Sequence, residues 1–254
     1  MNGGKEFEGQ CAVVTGGATG IGEAAARELA RRGCAVCVMD IDAPGAERVA
    51  QGIRAEGGEA FPSVTDLLDW EATRQGVGAA HAWKGRLDIV VHSAGGFPQY
   101  VSLLDCPAEA WDGVVNSNLR SMFYLLKAAA PLMIARKYGR FVSLSSMAAR
   151  SGVNPNPPHY TAAKGGVLAL TRQAARELGP HGITVNAVAP ANVQSPRAKA
   201  IRSPERLRHI AQTTPVGRLS EPGEIAEAVL FLCGKGAGYI TGVTLDVNGG
   251  ATMV

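Results

Sequence analysis

The alternation of short apolar runs with longer helical stretches constrains the fold of this chain more than any other sequence feature. The short runs are rich in β-branched residues and bounded by turn residues, which is typical of strands buried on both faces of a parallel sheet. Helical stretches between the runs supply the crossovers that parallel strands need. We therefore predict an α/β fold, a doubly wound parallel sheet with helices on both faces. The predicted strands are residues 12–14, 35–39, 87–91, 140–144, 183–188 and 243–247.

Two helical stretches are well marked. Residues 23–32 should form a helix that ends at Gly33, because glycine readily adopts the left-handed conformation of a C-cap. Residues 118–133 place an apolar stripe on one helix face. No composition break, repeat or low-complexity tract divides the chain, so we expect one domain over residues 1–254. Residues 191–214 are polar, basic and contain prolines, and we expect them to leave the sheet as a substrate loop.

Composition excludes several classes of partner. The 254 residues carry a formal net charge of only +3 with no long basic block, so we expect no nucleic-acid partner. No apolar run approaches the roughly 18 residues that span a bilayer, so we expect no membrane insertion. The N-terminus lacks the apolar core and cleavage site of a secretory signal. These features predict a cytoplasmic protein.

The five cysteines are scattered, and two of them form a C-x-x-C spacing at Cys34 and Cys37. Such a spacing can indicate metal or redox chemistry. Here it lies within a predicted strand, and no second Cys or His pair completes a zinc site. We therefore expect both thiols to pack in the core, and we predict no metal site.

A glycine-rich turn follows the first predicted strand, with the sequence T-G-G-A-T-G-I-G over residues 15–22. Unpaired N–H groups and the helix dipole attract an anion at the start of a helix, and glycines let the backbone approach it. A glycine-rich turn alone can be only a turn, but its place between strand and helix favours a bound nucleotide pyrophosphate. The predicted contacts are Gly16, Thr19, Gly20, Ile21 and Gly22.

An aspartate at the end of the second predicted strand indicates which nucleotide binds. Asp40 stands where a carboxylate accepts hydrogen bonds from the adenosine ribose of NAD. The alternative, a solvated carboxylate at a strand end, suits Asp42 better. No Lys or Arg lies at residues 38–42 or in the glycine-rich turn to bind a 2′-phosphate, which Asp40 would repel. We therefore predict NAD rather than NADP.

A tyrosine and a lysine four residues apart supply candidate acid/base chemistry. Tyr160 and Lys164 share a helix face, and an ammonium near a phenol lowers the phenol's pKa from about 10. On its own the pair could be an exposed helix pair. Ser145 and Ser146 close a strand shortly before it, where hydroxyl groups reach the carboxyl end of the sheet.

With these motifs in order, the sequence resembles the short-chain dehydrogenase/reductase family over almost its whole length. The T-G-x-x-x-G-x-G run, the serine strand 141–146, the W…N-L segment 111–119 and the Y-x-x-x-K motif all match. The resemblance implies seven strands in the order 3-2-1-4-5-6-7. It implies a catalytic set of Ser146, Tyr160, Lys164 and Asn118. It also implies cofactor contacts from Asp66, Leu67, Ser93, Ala94, Gly95, Tyr160, Lys164, Pro190, Val193 and Ser195.

The resemblance also implies a role for each catalytic residue. Tyr160 would exchange a proton with the reacting oxygen while hydride moves to or from the nicotinamide. Lys164 would lower the pKa of Tyr160 and bind the nicotinamide ribose. Ser146 would hydrogen-bond the reacting oxygen, and Asn118 would hold a water that relays protons to Lys164.

The sequence departs from the family pattern in three places. His92 replaces the first Asn of N-N-A-G, and we expect it to brace the sheet rather than act as an acid or base. Ala191 replaces the glycine after Pro190. An unusual proline-rich stretch, residues 154–159, precedes Tyr160 and should stiffen one pocket wall.

These observations predict an NAD(H)-dependent oxidoreductase that interconverts a secondary alcohol and a ketone, assembled as a homotetramer. One alternative is an NADPH-dependent 3-oxoacyl-thioester reductase, and another is a catalytically silent nucleotide-binding or scaffolding protein. We expect residues 96–101, 147–158 and 191–214 to form the pocket walls. The basic residues of the last segment either bind an anionic substrate or are solvated surface charges on a mobile lid.

Overall fold

A parallel sheet of seven strands runs through the centre of the structure. The computed structural model describes residues 5–152 and 156–253, with the backbone alone at positions 196, 197 and 199. The strands are β1 (Cys11–Thr15), β2 (Ala35–Asp40), β3 (Glu59–Val64), β4 (Ile89–His92), β5 (Gly139–Leu144), β6 (Ile183–Pro190) and β7 (Thr244–Val247). Every neighbouring pair is parallel and the order is β3-β2-β1-β4-β5-β6-β7. The doubly wound fold and its strand order are confirmed.

Helices connect the strands and cover both faces of the sheet. They are α1 (Gly20–Arg31), α2 (Ala43–Ala55), α3 (Trp70–Lys84), α4 (Ala108–Val115), α5 (Ser121–Arg136), α6 (Pro158–Leu178), α7 (Pro196–Ile201), α8 (Pro204–Thr213) and α9 (Pro222–Cys233). Within the described residues, each helix is too short or too polar to span a lipid bilayer.

Two apolar clusters hold the helices against the sheet. Along β1 the side chains alternate: Val14 packs with Leu29 of α1 and Ile225 of α9, whereas Val13 packs with Met122 of α5 on the other face. All these side chains are fully buried. Because both faces are covered, the strand is a continuous apolar run rather than an alternating one.

The cysteines of the C-x-x-C spacing lie on opposite faces of the sheet. Cys34 belongs to the cluster that contains α1 and α9, and Cys37 belongs to the cluster that contains α5. Both are buried, and burial raises the pKa of each thiol above its ordinary value. Their side chains point apart, so this pair cannot bind one metal ion together.

Strand β3 is the strand of this sheet that the apolar pattern did not predict. Among the residues that the structure describes, it pairs only with β2, and it lies at the edge of the sheet, where most of its side chains are partly exposed. Pro62 stands within it, and proline is tolerated at an edge because one backbone N–H there needs no partner. An exposed strand containing proline has no apolar run to reveal it. The other strands agree with the sequence prediction to within two residues at each end.

The predicted helix 118–133 begins earlier in the structure. A single π turn over Asn116–Arg120 joins α4 to α5, so the helical path extends from Ala108 to Arg136. Gly33 does end the first helix, with φ of 91° and its N–H donated to the carbonyl of Ala30 at 2.9 Å.

Residues 191–214 leave the sheet after β6 and form the short helices α7 and α8. Each begins at a serine whose hydroxyl accepts a backbone N–H, Ser195 for α7 and Ser203 for α8. The side chains of Arg197 and Lys199, and residues 154–155 of the proline-rich stretch, lie outside the described part of the chain.

His92 joins the end of β4 to α5. Its imidazole is fully buried, and Nε2 lies 3.0 Å from the hydroxyl of Ser121. That hydroxyl donates to the carbonyl of Ser117 at 2.7 Å, so Nε2–H of His92 is the donor to Ser121. Burial, helped by the charge of Lys164, lowers the pKa of His92 to about 3. A neutral imidazole in this position braces the sheet against α5.

We expect His92 to make the protein acid-sensitive. A histidine whose pKa is about 3 when folded and about 6.5 when unfolded destabilises the fold as the pH drops below the unfolded value. The free energy of unfolding should fall by about 2 kcal/mol between pH 8 and pH 5 through this group. Urea unfolding at both pH values, with His92→Asn as the comparison, measures it. Equal pH dependence in the two proteins would contradict the prediction.

Candidate active site

The glycine-rich turn packs so closely that two of its glycines have no room for a side chain. Gly16 has φ of 63°, and a Cβ there would lie 2.8 Å from the backbone nitrogen of Ala94. A Cβ on Gly22 would overlap the carbonyl oxygen of Gly16. The turn therefore brings the first turn of α1 against the ends of β1 and β4. The backbone N–H groups at the start of α1 lie beside a cavity at this edge of the sheet.

We name this space of about 460 Å³ the glycine-loop cavity. Its walls include predicted cofactor contacts from five segments of the chain: Gly16, Thr19, Gly20, Ile21, Asp40, Asp66, Leu67, Ser93, Ala94, Gly95, Val193 and Ser195. Gly22 does not line it, because it lies behind Gly16. A cavity with this backbone cradle fits a dinucleotide.

Asp40 fixes the glycine-rich turn and faces the glycine-loop cavity. One carboxylate oxygen accepts the N–H of Ala18 at 3.0 Å, and the other accepts the N–H of Asp42 at 3.0 Å. A carboxylate has about four acceptor positions, so two remain for ribose hydroxyl groups. Asp42, in contrast, caps α2 by accepting the N–H of Gly45.

Arg48 is a cation near the cavity that the sequence argument did not include. It comes from α2 and donates to the carbonyl of Ala18 at 2.6 Å and to the carboxylate of Glu23 at 2.9 Å. The pairing with Glu23 raises the pKa of the guanidinium above its ordinary value. Glu23 also pairs with Arg27, so one carboxylate is shared by two guanidinium groups, and Arg48 reaches the glycine-rich turn.

A second cavity of about 440 Å³, the tyrosine cavity, opens beside the first. Tyr160, Lys164, Ser146 and Pro190 line it. The two cavities share wall residues and form one cleft; the shared residues are Ile21, Ser93, Gly95, Val193 and Ser195.

Lys164 is anchored to the end of β5 by two hydrogen bonds. Its ammonium donates to the carbonyl of Leu144 at 2.6 Å, and its own carbonyl accepts the hydroxyl of Ser145 at 3.0 Å. The nitrogen lies 5.7 Å from the centre of the Tyr160 ring. Lys164 is buried and Tyr160 is half-buried, so little solvent screens the ammonium from the phenol.

Ser146 lies at the mouth of β5 with its hydroxyl toward the same cavity. Its oxygen accepts the N–H of Ala148 at 3.1 Å and so caps a short turn over Met147–Ala149. Because the hydroxyl oxygen is the acceptor in that bond, its proton can be donated to a bound ligand.

Phe97 packs on the Tyr160 ring from the opposite wall, with ring centres 4.8 Å apart and planes tilted by 60°. It lies in the predicted wall 96–101, but no local sequence pattern singles it out. The contact restricts the orientation of the phenol.

Asn118 is fully buried and lines neither cavity. Its side-chain oxygen accepts the N–H of Gly96 at 2.8 Å, and its side-chain nitrogen donates to the carbonyls of Gly96 and Val114. The π turn places it there, and such turns often occur at functional sites. In the structure Asn118 therefore positions the loop between β4 and α4.

Comparisons with known proteins agree with this geometry. A family model described as "Enoyl-(Acyl carrier protein) reductase" matches residues 16–252. The 3-oxoacyl-[acyl-carrier-protein] reductase FabG of Escherichia coli K12 is 37% identical over 248 residues, which cover 98% of this chain and 99% of the relative.

Two solved structures are similar over nearly the whole chain. One is a 7α-hydroxysteroid dehydrogenase complexed with NADH and 7-oxo glycochenodeoxycholic acid, with a TM-score of 0.92, 34% identity and coverage of 96% of this chain and 95% of that one. The other is a 3-oxoacyl-[acyl-carrier protein] reductase with bound NAD from Brucella melitensis, with a TM-score of 0.90, 30% identity and coverage of 99% and 94%. This chain belongs to the short-chain dehydrogenase/reductase family of oxidoreductases, which bind a nicotinamide dinucleotide.

Proposed function

We propose that the protein is an NAD(H)-dependent oxidoreductase that interconverts a secondary alcohol and a ketone. The observation that carries the proposal is the cleft itself. A tyrosine, a lysine and a serine line one cavity, and that cavity opens into a second one shaped for a dinucleotide. A silent nucleotide-binding or scaffolding protein would have no need for this arrangement.

In the proposed mechanism the nicotinamide ring, when bound, supplies or accepts a hydride. Tyr160 donates its phenolic proton to the ketone oxygen, or accepts a proton from the alcohol. Lys164 favours the phenolate through its charge and lowers the pKa of the phenol. Ser146 donates a hydrogen bond to the reacting oxygen and orients it toward Tyr160.

Asn118 acts as a positioning residue in this proposal. Its side-chain amide already binds the backbone of Gly96 and Val114. It holds Gly95 and Gly96 at the point where the two cavities meet. That Asn118 also holds a proton-relaying water stays a prediction.

A second candidate, a 3-oxoacyl-thioester reductase using NADPH, is supported by the comparisons more directly than the first. The curated relative at 37% identity is a 3-oxoacyl-[acyl-carrier-protein] reductase. Both candidates exchange hydride at a ketone carbon and differ in substrate and cofactor. Asp40 favours NAD, and the Brucella melitensis reductase is a structure with bound NAD.

One experiment separates the candidates. Initial rates of NADH and NADPH oxidation should be measured with acetoacetyl-coenzyme A and with a panel of simple ketones. Higher kcat/KM for the ketones with NADH supports the first candidate, and higher kcat/KM for the thioester with NADPH supports the second. Cofactor binding without turnover of any substrate favours the silent protein.

We propose that NAD binds much more tightly than NADP because Asp40 would repel a 2′-phosphate. Two like charges ~4 Å apart repel by about 4 kcal/mol at intermediate dielectric, so the difference in Kd should be about 1,000-fold. Asp40→Ala should reduce the difference between the Kd values for NAD and NADP. Calorimetric titration with each cofactor measures both values. Equal Kd values in the unmodified protein would refute the assignment.

Two further variants sharpen that test. Asp42→Asn keeps the cap of α2 and should retain the preference for NAD. In the Asp40→Ala background, Arg48 is the cation nearest the glycine-rich turn. Adding Arg48→Gln there should weaken NADP binding again while leaving NAD binding unchanged.

We expect Tyr160→Phe to preserve folding and NAD binding while turnover falls by roughly 100-fold or more, because only the ionisable oxygen is lost. Lys164→Ala should impair both turnover and cofactor binding. Alcohol oxidation by the unmodified enzyme should speed up as the pH rises, with a midpoint below about 10. Steady-state kinetics across pH tests these outcomes.

The controls are a second tyrosine and His92. Tyr239 is fully exposed, so Tyr239→Phe should not change turnover. His92→Asn should largely retain activity, because the imidazole bonds to Ser121 and braces the sheet. If Tyr160→Phe kept full turnover and His92→Asn abolished it, the imidazole would be the proton carrier.

Assembly as a homotetramer is also part of the proposal, as is a cytoplasmic location. Phe123 of α5 and Phe231 of α9 are each about half exposed, at 47% and 52%, and such rings favour burial against another copy. Light scattering at micromolar concentration should give four times the monomer mass. Phe123→Glu should reduce that mass, and a monomeric unmodified protein would be inconsistent with this proposal.

A further inference from the structure

The tyrosine cavity contains cations but no acids among the described residues that line it. Its walls include Arg202, Arg206 and Lys164, and no Asp or Glu. Lys164 is already committed to the end of β5 and to Tyr160. The two arginines come from the opposite side, where α7 ends and α8 begins.

Neither of these arginines belongs to an ion pair among the described residues. Most of the other described arginines are in ion pairs; for example, Arg150 pairs with Asp246 and Arg208 pairs with Glu205. Arg202 is half-buried, and burial lowers the pKa of its guanidinium while Tyr160 opposes that change. A half-buried cation without a carboxylate partner is uncommon unless a ligand supplies the charge.

The first turn of α8 carries one acid and one base. Glu205 follows the preference of a helix for an acid near the positive end of its dipole, and it pairs with Arg208. Arg206 gains nothing from the dipole in this turn, and it is exposed. It lines the tyrosine cavity together with Arg202, so two guanidinium groups face the same space.

We propose that the substrate carries an oxyanion, a carboxylate or a phosphate, that binds Arg202 and Arg206 while its carbonyl faces Tyr160. The inference rests on the proposed function and specifies its substrate class. Guanidinium groups suit this task because their planar donors match both kinds of oxyanion.

A phosphate of the dinucleotide is a less suitable partner for these arginines. The backbone cradle for that group lies in the glycine-loop cavity. Arg202 and Arg206 line only the tyrosine cavity. Their charges therefore lie on the substrate side of the cleft.

Matched pairs of ketones with and without the anion test the inference. We would measure kcat/KM with NADH for 4-oxopentanoate against its methyl ester, and for dihydroxyacetone phosphate against dihydroxyacetone. In one pair or the other, the unmodified enzyme should prefer the anion by roughly 10- to 100-fold, as charged hydrogen bonds imply. The pair that shows the preference tells whether the group is a carboxylate or a phosphate.

Variants assign that preference to residues. Arg202→Gln and Arg206→Gln should each lower the ratio of anionic to neutral kcat/KM, and the neutral ketone serves as the internal reference. Arg208→Gln is the matched control, because Arg208 lies on α8 but pairs with Glu205 outside the cavity. For Arg208→Gln, the ratio of kcat/KM for the anionic ketone to kcat/KM for the neutral ketone should equal that of the unmodified enzyme. Equal use of anion and neutral analogue by the unmodified enzyme would overturn the inference.

Binding measurements separate this inference from the proposed function. Calorimetric titration of the enzyme–NADH complex with the same compounds should show the anion preference, and Arg202→Gln should remove it. Selective anion binding without NADH oxidation would contradict the proposed function and support the inference. Ketone reduction without anion preference would support the proposed function and contradict the inference. If Arg202→Gln weakened NADH binding instead, the guanidinium would serve the cofactor and the inference would be wrong.

Discussion

The hydrogen bonds between the end of β5 and Lys164 determine where the reactive groups of the cleft lie. The carbonyl of Leu144 accepts a hydrogen bond from the Lys164 ammonium, and the hydroxyl of Ser145 donates to the carbonyl of the same lysine. The first turns of α6 are therefore fixed against β5, and Ser146 lies just after the end of that strand. A charge-assisted bond of this kind contributes about 1.5–3 kcal/mol, and burial keeps water from replacing it. Tyr160, one turn before Lys164, is positioned as a consequence.

This anchor works because the sheet is parallel. All strands of such a sheet end at the same edge, so residues far apart in sequence meet there. Asp40 from β2, Ser93 after β4, Ser146 after β5 and Pro190 from β6 all lie along one cleft. The apolar packing on both faces makes the edge rigid, and the polar groups at the edge then face one another at fixed distances.

Much of the fold and site could be predicted because the signals are local. Buried strands carry continuous apolar runs, and the glycine-rich turn and the Tyr160–Lys164 spacing are short motifs. The edge strand β3 was missed because exposure and Pro62 remove the apolar pattern. Its existence followed only from the family resemblance.

The remaining features depend on contacts between distant segments. Arg48 reaches the glycine-rich turn from α2, and Phe97 meets Tyr160 across the cleft. Nothing in the sequence around either residue specifies these partners. The bonding of Asn118 to Gly96 likewise depends on where the helix and the loop meet. Such contacts follow from tertiary packing and are not encoded in a local pattern.

The π turn over Asn116–Arg120 can be seen as one extra residue inserted into a helical rod. A π turn takes up its extra residue locally, so removing that residue would convert Asn116–Arg120 to a regular α-helical turn and displace the residues of the turn, Asn118 among them. Asn118 would leave the backbone of Gly96, while the apolar side of α5 could stay in place. Deletions in this rod are thus not equivalent to deletions in a loop. One extra residue in this turn distinguishes a regular helix from one whose Asn118 holds the backbone of Gly96 beside the cleft.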